Sequence, residues 1–209
     1  MGLFNRTPKS AAPEREEDLS RDAKRLFNQK AEILNTIRNI AAEKGQMPTL
    51  EDYLAACKNY QHESTEWNPQ VWGDLRNQDL SGFKISDPSK VPDTEHVMAN
   101  LYDQFGTGTV NKFFASIDLA GANLENTLIT PTTSYLIAEK DNARIDGATF
   151  EGLGRNDTCK IGAGLHKNLH FTDINGGTLI VTERAIVDKL EMSGTDVSLI
   201  VNGTLKNAK

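Results

Sequence analysis

Cysteine is scarce in this sequence. Cys57 and Cys159 are the only two in 209 residues, and they lie far apart. Two thiols supply neither a disulfide framework nor a four-ligand zinc site, which excludes a small disulfide-stapled secreted domain and a zinc finger. Free cysteine usually behaves as a small buried apolar residue, so we expect both thiols to be buried. A reducing compartment fits this usage best, and we expect a cytoplasmic protein.

Long apolar runs and basic clusters are also missing. No segment approaches the roughly 18 apolar residues that cross a membrane, and the start has no apolar stretch of a secretory signal. The net charge is −6, and residues 113–209 hold 9 Lys and Arg against 12 Asp and Glu, so each part of the chain carries −3. We therefore predict neither a membrane span nor direct nucleic-acid binding, because the latter needs a basic surface.

The first part of the chain has a helical pattern behind a short tail. Residues 1–13 show no apolar periodicity, so we expect a disordered tail. From Glu14 to about Lys44 apolar residues recur every three or four positions, which predicts an amphipathic helix. The stripe comprises Leu19, Ala23, Leu26, Lys30, Ile33, Ile37 and Ile40. It fits either a helix packed on its own domain or a coiled-coil seam.

A second helix is predicted to begin at Thr49. The Thr49 hydroxyl can cap the free amides of the first turn, and Glu51 and Asp52 follow at the positive end of the helix dipole. Residues 14–70 are therefore predicted to form a helical hairpin and a linker. We expect this hairpin to supply a second contact surface or a homodimer surface.

From Gly73 onward the sequence falls into units of five residues. The first block reads GDLRN, QDLSG, FKISD, the second KFFAS, IDLAG, ANLEN, TLITP, and the third ARIDG, ATFEG. Several units have Ala two places before the central apolar residue, and several have Asp or Asn one place before it. The central residues are Leu75, Leu80, Ile85, Phe114, Leu119, Leu124, Ile129, Ile145 and Phe150.

These units resemble those of the pentapeptide-repeat family. The resemblance implies a mainly β fold for residues 71–209, a right-handed quadrilateral β-helix in which four units make one coil of about twenty residues. A period of five matches neither the 3.6 of a helix nor the 2 of a flat strand, so a chain that turns a corner after each unit keeps every central side chain inside. The nine central residues are therefore predicted to form an inward structural ladder.

The repeat is irregular. A helical insertion is predicted at about 93–106 and a loop at about 131–142, and loops that leave a rigid coil are natural places for partner recognition. After Gly152 the units LHFTD, LEMSG and TDVSL are out of step with one another.

Candidate catalytic and metal-binding residues are few. His166 and His170 lie four apart, which on a helix would place two imidazoles together for a metal, but on a coil of fives it does not. Cys159 and His166 could form a nucleophile and base pair only with an orienting third group, and the spacing provides none. We therefore predict no catalytic, metal or cofactor residues.

A non-catalytic protein–protein interaction scaffold is the function that the resemblance implies. It also implies a bacterial source and a role as an effector or adaptor with a protein partner that the sequence does not identify. An alternative is a DNA-mimicking regulator of DNA gyrase, as some members of the family are. Five coils would span only about 24 Å, however, and −3 is a weak field for that role. The third hypothesis is that the protein is an enzyme of unknown class.

Overall fold

The computed structural model describes residues 12–57, 68–86, 95–119, 121–129 and 144–209. Within these ranges the chain forms five helices and eight strands. The helices are α1 (Ala12–Glu43), α2 (Leu50–Cys57), α3 (Pro69–Gly73), α4 (Glu95–Phe105) and α5 (Thr107–Ala115). The strands are β1 (Lys84–Ile85), β2 (Leu128–Ile129), β3 (Thr149–Glu151), β4 (Gly154–Ile161), β5 (Gly164–Val181), β6 (Ala185–Thr195), β7 (Ser198–Val201) and β8 (Thr204–Ala208).

The strands build a parallel β-solenoid of about three turns. Their order is β1-β2-β3-β5-β6-β8, with β4 and β7 both paired to β5, and all of these pairings are parallel. Each turn therefore lies on the one before it, and the backbone amides of one turn bond to the carbonyls of the next. The prediction of a mainly β, repeating fold is confirmed at this level.

One turn of the solenoid takes about 21 residues. Phe150 pairs with Phe171, and Phe171 pairs with Met192. The units LHFTD and LEMSG, which are out of step when the sequence is counted in fives, are therefore in register in three dimensions. The cause is that each of these two turns holds four units plus one extra residue, so a count in strict fives loses its phase from one turn to the next.

A helical insertion interrupts the solenoid between β1 and β2. Lys84 pairs with Leu128, a step of 44 residues instead of 21, and the additional chain includes α4 and α5. Helix α4 lies in the range where an insertion was predicted. Helix α5 was not predicted, and it contains Phe114, which is only partly buried. The unit KFFAS is therefore not a coil unit, because its apolar residues follow the helical spacing of Val110 and Phe113, both fully buried.

The helices α1 and α2 cover the first turn of the solenoid, and together with residues 46–49 we call them the helical cap. Ile33, Leu34 and Ile37 of α1 lie in the same buried core as the solenoid residues. The segment before α2 adds to the sheet edge, since the Lys84 amide donates to the Pro48 carbonyl at 2.8 Å. An exposed edge of a sheet can pair with other chains, and the helical cap prevents this at the first turn.

Helix α1 begins at Ala12, so the last two residues of the predicted tail are helical, and residues 1–11 lie outside the described part. The predicted loop at 131–142 also lies outside the described residues. None of the helices in the described ranges is long and apolar enough to cross a membrane.

Candidate functional surface

Several ladders of stacked side chains fill the interior of the solenoid. Eight of the nine predicted ladder residues are buried, and Phe114 is the exception. The buried ones are Leu75, Leu80, Ile85, Leu119, Leu124, Ile129, Ile145 and Phe150. Register extends two of these ladders into the later turns. The ladder of Leu124 continues through His166, Val187 and Leu205, and the ladder of Phe150 continues through Phe171 and Met192.

His166 takes a position in the inward ladder that aliphatic residues occupy in the other turns. It is 4% exposed, and its Nε2 lies 3.1 Å from the carbonyl oxygen of Gly162. His170 lies past the next corner and is partly exposed, with its Nδ1 3.2 Å from Glu191 Oε2. The two imidazoles thus have separate partners. Among the described residues no group of three His, Cys, Asp or Glu side chains could hold a metal ion.

Both cysteines are fully buried. Burial raises the pKa of the Cys57 thiol to about 12, and burial also raises the pKa of the Cys159 thiol. A nucleophilic cysteine needs the thiolate form, which these environments disfavour at neutral pH. Cys159 pairs in register with Leu179, and His166 bonds to Gly162 instead of to a thiol, so the candidate nucleophile and base pair is not assembled.

The outer side of the strands carries the side chains that solvent and partners can reach. Leu165 and Ile186 are neighbours in register on β5 and β6, and they are 55% and 40% exposed. Thr204 follows Ile186 on β8. Two residues further along each strand, Lys167 pairs with Asp188, and Asp188 pairs with Lys206. The chain thus displays an apolar column beside a charged column.

The same two columns continue in the turn below, at the same offset of 21 residues. Arg144 lies below Leu165, and Asp146 lies below Lys167, where the Asp146 carboxylate accepts the Lys167 backbone amide at 2.9 Å. We call these eight residues the two-column surface. Its apolar column is Arg144, Leu165, Ile186 and Thr204, named for its central pair, and its charged column is Asp146, Lys167, Asp188 and Lys206.

A column of left-handed residues forms one corner of the solenoid, two positions after the inward ladder. Sequence reasoning missed this corner, although the units ANLEN and ARIDG carry its signal in their last letter. Positive φ is cheap for Gly and tolerated by Asn, but strained for a residue such as Lys. The column consists of Gly82, Asn126, Gly147, Asn168, Lys189 and Asn207, with φ between 52° and 73°.

The outer surface therefore differs from turn to turn while the interior is repetitive. Among the described residues neither a metal-binding cluster nor the candidate pair of Cys159 and His166 is assembled. A search among family models, curated proteins and solved structures finds none that matches this chain.

Proposed function

We propose that the protein is a non-catalytic protein–protein interaction scaffold of the pentapeptide-repeat type, acting in the bacterial cytoplasm or as an effector or adaptor. The observation that carries this proposal is the separation of inner and outer side chains in the solenoid. Reactive side chains such as Cys159 and His166 are enclosed in the core, while the outer columns present exposed polar and apolar groups at fixed spacing. A regular parallel core holds such groups rigidly, which reduces the entropy lost on binding.

The pentapeptide-repeat geometry is supported by the spacing of the buried residues within one turn. Leu119, Leu124 and Ile129 are five apart and are 6%, 1% and 0% exposed. A chain with inward residues at this spacing must turn between them, and a turn of 21 residues accommodates four such units. The proposal therefore includes a four-sided cross-section, and the right-handed winding comes with the family resemblance.

The gyrase-regulator alternative requires a surface that imitates the uniform negative charge of duplex DNA. The charged column of the two-column surface instead alternates in sign from turn to turn. A partner with uniform positive charge would meet as many lysines as aspartates there. We therefore favour a protein partner that recognises mixed apolar and polar groups. Inhibition of DNA gyrase supercoiling by the purified full chain at stoichiometric amounts would reverse this preference.

The scaffold proposal is tested by quantitative affinity capture from bacterial lysate with the full chain as bait. The comparison is a variant in which residues 131–142, the predicted recognition loop, are replaced by a short Gly-Ser linker. A third bait carries Cys159→Ser, which removes the thiol. We expect partners that bind the wild type and the Cys159→Ser protein equally but lose the loop variant. Partners that require the thiol would support the enzyme reading instead.

A further inference from the structure

We propose that the two-column surface binds a second copy of this chain, with the two solenoids antiparallel around a two-fold axis. The axis runs along the strand direction and passes between the turn that holds Leu165 and the turn that holds Ile186. This inference does not rest on the proposed scaffold function. It rests on the order of charges and apolar groups in the two columns.

The charged column is complementary in charge to the same column of a second copy that runs in the opposite direction. Read along the solenoid, Asp146, Lys167, Asp188 and Lys206 alternate in sign. Glu125, which lies below Asp146, breaks this alternation but forms a salt bridge with Arg144 and has no partner residue opposite it in the proposed dimer. A two-fold axis between the middle two turns places Asp146 opposite the partner's Lys206, and Lys167 opposite the partner's Asp188. The symmetry repeats both pairs, so four pairs of opposite charge form in one interface.

The same two-fold axis places the apolar column opposite the apolar column of the partner. Leu165 lies opposite the partner's Ile186, and the pair is repeated by symmetry. These two side chains are among the most exposed large apolar groups of the solenoid, and burying them removes apolar surface from water. Arg144 lies opposite the partner's Thr204, which brings no like charges together, and the Arg144 guanidinium is paired with Glu125 of its own chain.

Other arrangements of two copies are disfavoured by the same residues. Shifting the axis by half a step, onto the turn of Lys167, would place Lys167 opposite itself and Asp146 opposite the partner's Asp188. A two-fold axis along the solenoid would instead place the charged column over the apolar column, with Lys167 opposite the partner's Leu165. Like charges and unpaired buried charges cost free energy, so both of these arrangements are disfavoured. Axes between other neighbouring turns also oppose unlike charges, but only the axis between Lys167 and Asp188 forms four such pairs.

The proposed interface is small. The four residues of each column stand one above another and extend about 14 Å from the first to the last. Stable dimers commonly bury about 800 Å² on each partner, and two columns of this height provide less. We therefore expect a weak dimer, with a dissociation constant of about 10 µM to 1 mM.

The first experiment is sedimentation velocity of the full chain at low ionic strength, from about 10 µM to about 1 mM, the range that the expected affinity requires. The wild type is expected to shift from monomer to dimer. Ile186→Asp is expected to remain monomeric, whereas Ile200→Asp should behave as the wild type. Ile200 is a matched control, since it is 45% exposed against 40% for Ile186 and lies on a different outer column. A monomeric wild type, or loss of the dimer in Ile200→Asp alone, would overturn the proposal.

The second experiment tests the register with two single variants. Lys206→Glu places a glutamate opposite the partner's Asp146, and Asp146→Lys places a lysine opposite the partner's Lys206, so each variant alone should dimerise at least tenfold more weakly. In a mixture of the two, every opposed pair again has opposite signs, and a heterodimer should form with affinity near that of the wild type. Absence of the heterodimer would overturn the proposed register.

Asp146 also accepts a backbone amide, and Asp146→Lys could lower the stability of the fold. In that case Lys167→Glu and Asp188→Lys provide an equivalent pair of variants. Thermal melts of each single variant verify that it is folded before the mixing experiment. If both mixed pairs fail while all variants are folded, the antiparallel two-fold arrangement is wrong.

Discussion

Phe150 and Phe171 stack face to face on consecutive turns of the solenoid. Their ring centroids are 4.6 Å apart, and the ring planes differ by 17°. The separation is close to the spacing of neighbouring strands, about 4.8 Å, because each ring stands on its own strand at the same register position. The stack shows that the interior is ordered as columns along the axis, and that the stability of each turn depends on its neighbours.

Leu124 provides a direct test of this columnar core. It is 1% exposed and belongs to the ladder of Leu80 and Ile145. We expect Leu124→Asp to lower the free energy of unfolding by about 3–5 kcal/mol, because the carboxylate would be buried without a partner. Denaturant unfolding monitored by circular dichroism measures the loss.

Leu165→Asp is the matched control for Leu124→Asp. It makes the same chemical change at a leucine that is 55% exposed, so at low protein concentration its effect should be within about 1 kcal/mol. Equal effects of the two substitutions would contradict an inward ladder at Leu124.

The inward ladder was the most predictable part of the fold, and its failures have physical causes. Units such as ANLEN and ARIDG identify core residues because their period of five differs from the side-chain periods of both a helix and a flat strand. Phe114 fits the period of five because it lies five residues before Leu119, but it belongs to α5, which ends at Ala115, so the two residues are in different elements. His166 was not assigned to it, since a polar residue at an inward position breaks the pattern that identifies the ladder.

The candidate surface was not predictable from the sequence. Outer columns depend on which residues lie above one another, and this depends on a turn of 21 residues instead of the 20 that four units imply. The extra residue changes the neighbours on this part of the outer surface, so Lys167 and Asp188 become adjacent only in the structure. The apolar stripe predicts the helix α1. It does not predict the contact of α1 with the first turn, because a local sequence pattern does not specify which surface a helix covers.

Lys189 is strained at the left-handed corner. Its φ is 68°, and the same corner holds Asn126, Asn168 and Asn207 in the other turns. We expect Lys189→Asn to raise the free energy of unfolding by about 0.5–1 kcal/mol, because asparagine tolerates this conformation better. The lost contact between Lys189 Nζ and Glu191 Oε1, at 3.5 Å, is exposed and contributes little.

Lys189→Ala separates the backbone effect from the charge effect. It removes the same amino group but does not relieve the strain, so it should be no more stable than the wild type. Thermal and denaturant unfolding of the three proteins gives the order Asn above Lys and Ala. An alanine variant as stable as the asparagine variant would refute the strain at this corner.

Glu51 is a buried carboxyl at the positive end of the α2 dipole. It is 6% exposed, and neither carboxylate oxygen has a hydrogen bond of good geometry, although Thr49 and the Glu51 backbone lie close enough to offset part of the rise that burial causes in its pKa. The capping role is taken by its neighbours, since the Asp52 amide donates to the Thr49 hydroxyl and the Thr49 amide donates to the Asp52 carboxylate. Burial raises the pKa of Glu51 above its ordinary value of 4.5.

The raised pKa of Glu51 fixes the sign of a pH dependence. Its contribution to stability is fully present below the unfolded pKa and is lost as the pH rises through the folded pKa. The neutral variant Glu51→Gln avoids this loss. At pH 7 its free energy of unfolding should exceed that of the wild type by about 1.4 kcal/mol for each unit by which the pKa is raised, and near pH 4 the two proteins should be equally stable. Glu32→Gln, at an exposed position of α1, is the control. A pH-independent difference for Glu51→Gln would contradict the burial of a charge.

Lys30 explains why a cation interrupts the apolar stripe of α1. It is 4% exposed, and its Nζ donates to the carbonyl oxygens of Val71 at 2.6 Å and Asp74 at 2.5 Å. These carbonyls lie at the end of α3, where backbone acceptors have no partner within the helix. Burial lowers the pKa of Lys30, and the carbonyls and the nearby Asp74 carboxylate offset part of that cost.

Lys30→Met keeps the length of the side chain but removes both hydrogen bonds. We expect the free energy of unfolding to fall by about 2–4 kcal/mol, because two carbonyls beneath the helical cap would be left without their charged donor. Lys24→Met, at an exposed position of the same helix, should change it by less than about 0.5 kcal/mol. In Lys30→Met, hydrogen exchange should be faster than in the wild type in the first turn of the solenoid but unchanged in β5 and β6, since only the first turn is held by α1. A Lys30→Met protein as stable as the Lys24→Met protein would show that packing alone holds α1 on the solenoid.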